Sequence, residues 1–202
     1  EEILASSTKY DYINLLSGQD YPLKSTHEIH AFFEENPDKA FMHTLSVATE
    51  WQEAIPRVTK YHLSNYQFSG RNMAEKYINM LLPKRKMPNR LIPVGRSQWF
   101  TITSKHVEYI VTYLQQNKNV KRFFELTWGS DEIVFQTILY NSIFQNKMVN
   151  DNLRYIDWSE GNASPKTFKM EDLPTLLSSG KLFARKFNET VDGKVLDALD
   201  KE

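Results

Sequence analysis

Hydrophobic positions in this chain fall into short groups separated by polar turns, and their spacing alternates between that of strands and that of helices. Residues 11–16 are a nearly continuous apolar run closed by Ser17-Gly18, the pattern of a strand buried on both faces, and residues 19–22 read as a turn. Ser25 or Thr26 can cap a helix through Ile29, Phe32 and Phe33 that stops at Asn36-Pro37. A strand is predicted over 40–46, an irregular stretch over 49–57, and a half-exposed strand over 61–68, where aromatic or apolar residues alternate with polar ones. Met73, Tyr77, Met80 and Leu81 recur at helical spacing across 73–82, and a basic, proline-bracketed loop follows over 83–90.

Beyond it, residues 95–102 turn into a strand and Ser104 can cap a helix over 107–114; Asn117 breaks the pattern before a second helix carrying Val120, Phe123 and Phe124. Ser130 can cap a further helix over 130–139, with Asp131 and Glu132 in its first turn. A strand over 153–158, a loop over 159–166, a brief helix over 171–177, an extended segment over 182–187 and an amphipathic tail from Val195 complete the order. Strand, loop and helix units of this kind predict a single α/β domain over 1–202, with ligands held by loops at the carboxyl ends of its strands. Because the first such unit begins only ten residues in, earlier strands are expected upstream for it to pair with.

Composition narrows the chemistry. The 25 basic and 25 acidic side chains cancel, which argues against bulk attraction to nucleic acid. With no cysteine, disulfides and thiolate metal sites are excluded. No apolar run approaches eighteen residues, so no transmembrane segment is predicted in this chain. There is no D-x-D pair for a divalent ion, no G-x-S-x-G elbow and no glycine-rich phosphate loop; His27 and His30 stand one helical turn apart without a third ligand in view.

A general base supported by cations is what these exclusions leave. Asp131 and Glu132 can be read as complements to a helix dipole, or one of them can face a cleft and take a proton from a substrate. Arg185 and Lys186 are adjacent cations, and Lys166 follows Pro165; each is either a solvated surface charge or a partner for a phosphate leaving group.

Five segments then fall into one ordered pattern: DYINLLSGQDYPLKS (11–25), GRSQWFTITSKHVEYI (95–110), SDEIVFQTILYNS (130–142), LRYIDW (153–158) with the later Ser164-Pro165, and LFARKF (182–187). This set resembles the core-2/I-branching β-1,6-N-acetylglucosaminyltransferase family, which also includes peptide O-xylosyltransferases. The resemblance implies a glycosyltransferase A-type, Rossmann-like mixed sheet flanked by helices, here lacking the N-terminal strands that bind uridine. It implies inverting transfer from a UDP-sugar to a glycan or other hydroxyl acceptor, with no cofactor and no divalent metal.

By position, Glu132 matches the family's catalytic base and Lys186 its diphosphate-contacting lysine. Ser17, Gly18 and Asp20 match the loop beside the donor sugar, with Arg185 and Lys166 as further donor-side cations. Glu50, Arg57 and Trp158 fall in acceptor-side segments. Animal members carry disulfides, so a cysteine-free chain is expected to be a bacterial relative working in the cytoplasm, at most peripherally attached to a membrane. A carbohydrate-binding remnant without catalysis is the competing expectation.

Overall fold

The computed structural model describes residues 2–201. Its contacts gather into two compact units, each built from two stretches: the chain through Ile13 with Lys39–Asn150, and Asn14–Asp38 with the chain from Asp151 on.

The first unit is organised by a mixed sheet in the order Tyr12–Asn14, Phe100–Thr103, Ala40–Met42, Met148–Val149. Ala40–Met42 runs antiparallel to Phe100–Thr103 and parallel to Met148–Val149. All three residues of Ala40–Met42 are buried, as a central strand requires. The strand predicted over 40–46 divides in two, because Leu45–Ser46 leaves this sheet to pair with Val94–Gly95. Helices Ser104–Gln116, Lys118–Glu125 and Val134–Tyr140 bring Ile110, Val120, Phe124, Ile138 and Leu139 into one core with Met42, Trp51 and Ile102. Thr103, one residue before the expected Ser104, caps the first of these helices. Residues 49–57, expected to be irregular, form a 3-10 turn, Gln52–Ala54, and a short helix, Ile55–Thr59.

No strand forms over 61–68. The N–H groups of Tyr61 and Leu63 donate to the side chains of Asn79 (2.8 Å) and Glu75 (2.8 Å), so a helix surface meets their needs instead of a neighbouring strand. That helix, Arg71–Leu81, therefore turns Glu75 and Asn79 inward, and Met73, Tyr77, Met80 and Leu81, whose spacing announced the helix, lie on its exposed side. The basic loop after it is not uniformly solvated. Arg85 is buried and donates to the carbonyls of Lys60 (2.9 Å), Leu126 (2.6 Å) and Phe123 and to Thr127 Oγ1 (3.2 Å). Burial lowers its pKa to about 10.

In the second unit Phe183–Arg185 lies between Asp20–Pro22, antiparallel, and Arg154–Ile156, parallel. Residues 20–22 are thus an edge strand and not a turn, held at their end by Leu23 N–H donating to Leu182 O (2.8 Å). Helix Thr26–Glu35 starts at the expected cap: Ser25 and Glu28 form a reciprocal capping box. Leu23, Phe168, Leu176, Ala184 and Phe187, with Val195 and Leu199 of the tail, make the core. The run over 11–16 shortens to Tyr12–Asn14, half-buried, while Leu15 and Leu16 are exposed. The carbonyl of Leu15 is taken by the buried guanidinium of Arg154 (2.6 Å) and not by a sheet partner.

Candidate active site

In the first unit the S-D-E segment is held by its backbone. Ser130 does not cap an α-helix; Ser130–Glu132 is a 3-10 turn that begins after Gly129, whose φ of 61° a side chain rarely adopts. The helix starts only at Val134, because buried Ile133 has φ −131° and breaks the two apart. Glu132 O accepts from Arg96 N–H (3.1 Å), and Gly95 passes so close that a Cβ there would lie 2.1 Å from the same oxygen. The 94–97 turn is itself fastened to the helix. Thr137 Oγ1 accepts from Val94 N–H (3.1 Å), and Gln136 Nε2 donates to Ser97 O (2.6 Å).

This scaffold presents the Glu132 carboxylate to Arg57, whose Nη1 donates to Oε2 at 2.5 Å across 75 positions of sequence. The Arg57 side chain is 17% exposed and that of Glu132 32%, so the carboxylate is oriented yet still accessible. Two indoles sandwich the guanidinium: its centre lies 4.9 Å from the Trp51 ring and 4.3 Å from that of Trp128. Gly129 lets it approach, since a Cβ there would meet Arg57 Nη1 at 2.8 Å. Trp51 Nε1 in turn donates to Glu53 (2.9 Å), which also pairs with Arg96 and has its pKa lowered chiefly by that arginine. Glu132 and Arg57 are thus brought together. Glu50 has a local role, accepting from Ser46 N–H (2.9 Å) at the turn before Trp51.

The tryptophan pair is what the sequence reading did not find. Trp51 lies in the stretch expected to be irregular, and Trp128 falls between two predicted helices, in neither. The available signal was the Trp-Gly step at 128–129 immediately before that motif, where a glycine permits close approach.

In the second unit the predicted donor-side residues divide by how far their charge is already balanced. Arg185 Nη1 donates to Ser17 Oγ and to Asp20 Oδ1 (3.1 Å), and Asp20 Oδ2 accepts from Ser17 N–H (2.7 Å), closing the 17–20 turn around Gly18. Lys166 Nζ donates to Asp172 Oδ1 (2.6 Å), a bond that raises the lysine pKa. Lys186, half-buried, has no ion pair among the described residues; its carbonyl accepts from Phe168 N–H (2.9 Å). Trp158 is exposed at the head of the loop after Arg154–Ile156. Buried Arg154, which the sequence reading did not single out, braces this unit by donating to Asn14 Oδ1 and to the carbonyls of Leu15 and Asn152. Burial lowers its pKa to about 10. Among the described residues no group of three His, Asp or Glu could hold a metal ion.

The mixed α/β architecture is consistent with an A-type glycosyltransferase fold, which defines the class. A family model, that of the core-2/I-branching enzymes, matches residues 1–177, and the chain belongs to that family. Among characterised relatives it is 28% identical to xylosyltransferase 2 of Homo sapiens over 214 residues and 27% identical to xylosyltransferase 1 of Canis lupus familiaris over 210. Each match covers 95% of this chain but only 23% and 21% of the relative, so the chain spans less than a quarter of their length.

Proposed function

We propose that residues 1–202 serve as the acceptor-side, catalytic portion of an inverting, metal-independent glycosyltransferase. It moves N-acetylglucosamine or xylose from a UDP-sugar to a hydroxyl of a glycan or other acceptor. The observation that carries this reading is the Glu132–Arg57 pair, an accessible carboxylate held by its backbone and aimed by a guanidinium fixed between two indoles.

In this reading Glu132 accepts the acceptor's hydroxyl proton while the hydroxyl oxygen forms a bond to the anomeric carbon. The bond from that carbon to the β-phosphate oxygen breaks on the opposite side, its electron pair leaves with UDP, and the configuration inverts. Lys186 is assigned to the diphosphate because its charge, unlike those of Arg185 and Lys166, is not spent on a carboxylate in the second unit. Arg185, Ser17, Gly18 and Asp20 shape the donor-side turn, and Lys166 supports it. Arg57, Glu50 and the exposed ring of Trp158 are the acceptor-side groups, an indole face being suited to the apolar face of a sugar.

Transfer from labelled UDP-N-acetylglucosamine and UDP-xylose, measured for the protein and for Glu132→Gln, tests the assignment. Glu132→Gln is expected to lower kcat by about 10²–10⁴-fold with donor KM little changed. An undiminished rate in the variant would overturn it. Calorimetry separates the competing reading, since a carbohydrate-binding remnant takes up glycan and ignores UDP.

A further inference from the structure

Helix Arg71–Leu81 is inverted relative to an ordinary surface helix. Two of its polar residues face the protein: Glu75 accepts from Leu63 N–H and lies 3.5 Å from His62 Nδ1, and Asn79 bonds both backbone groups of Tyr61. Its apolar residues face solvent, with Met73 62%, Tyr77 50%, Met80 64% and Leu81 74% exposed. Single exposed hydrophobics are ordinary, but four on one three-turn stripe are a surface kept for contact.

The charges around the stripe are predominantly basic. Lys76 lies among these residues, and Lys60 lines with it, Asn72, Glu75, Asn79 and Met80 a groove of about 520 Å³. Neither lysine has an ion pair among the described residues. Lys84 and Lys86 are exposed just beyond the helix. Glu75, the one acid between residues 71 and 90, also borders that groove, but its carboxylate is engaged by Leu63 N–H and lies beside His62. A stripe of methionine, tyrosine and leucine bordered by lysines that outnumber the single, already engaged acid complements an anionic bilayer: the apolar side chains enter the headgroup boundary and the lysines reach phosphates.

We propose that the exposed face of helix Arg71–Leu81, with Lys60, Lys76, Lys84 and Lys86 around it, seats the protein on an anionic lipid surface. This does not depend on the catalytic reading, since it uses none of those residues. Flotation of the full protein with vesicles of phosphatidylcholine, with or without phosphatidylglycerol, tests it. The protein is expected to float with the anionic vesicles only and to be released as salt rises.

Near such a surface each lysine contributes about fivefold in partitioning, so K76E/K84E is expected to lower it by at least about tenfold. M73S/Y77S/M80S is expected to abolish flotation. Circular dichroism and transfer to a soluble acceptor should be unchanged in both variants. Failure of the wild type to float, equal flotation with neutral vesicles, or flotation undiminished in either variant would overturn the proposal. So would a dimer in sedimentation that M73S/Y77S/M80S dissociates, since the stripe would then be covered by a second copy.

Discussion

Glycine at position 95 has no side chain, and the carbonyl of Glu132 lies where one would begin. Gly95→Ala is therefore expected to displace the backbone that carries the carboxylate. It should cost about 1–3 kcal/mol in stability, read from urea denaturation, and lower transfer activity more than that loss alone explains. An alanine variant with an unmoved midpoint and full activity would show that the close approach does not position Glu132. Glu132 was one of two candidate acids at a helix start until the family resemblance chose it, and Arg57 was named only through that resemblance. Their pairing was not legible, because 75 positions separate them and nothing in a local period reports on which distant side chain a carboxylate meets. The same limit hid the two indoles around Arg57.

At the scale of elements, local chemistry was read well where it is self-contained. The helix cap at Ser25 and the break at Asn117 stand as expected. The errors arose where a side chain satisfied a backbone group that periodicity assigns to a strand or cap. Glu75 and Asn79 replaced a strand partner for 61–63, and Arg154 ended the first strand at its carbonyl side. Arg85 acts similarly on the segments around Lys60, Phe123 and Leu126, joining pieces that share no regular hydrogen-bonding pattern. Arg85→Ala is accordingly expected to destabilise the protein by about 3 kcal/mol, since buried acceptors lose a charged donor. A denaturation midpoint within error of the wild type would refute that bracing role.

For the whole molecule, the α/β class was legible from alternating strand and helix patterns and the mixed sheet only from the family resemblance, whereas the grouping of contacts was not legible at all. The chain passes between the two units three times, within the strand Tyr12–Asn14, at Asp38–Lys39 and at Asn150–Asp151, and no long linker composition announces these points. Charge balance across the chain conceals local imbalance, as the lysine-rich border of helix Arg71–Leu81 shows. At this scale the proposed chemistry makes a prediction about metal ions. With protein cations neutralising the departing diphosphate, transfer by the full protein is expected to be unchanged in excess EDTA. A rate that collapses in chelator and returns with manganese would reassign that neutralisation to a divalent ion.

The fastening of residue 132 runs through its main-chain oxygen, and Arg96 reaches it whatever side chain the position carries. Amide for carboxylate at this point should therefore silence turnover without loosening the architecture. Under the proposed chemistry such a protein is a snare: soaked with donor and acceptor together, it is expected to hold both unreacted and let crystallography record the encounter that the active form would pass through too quickly to capture.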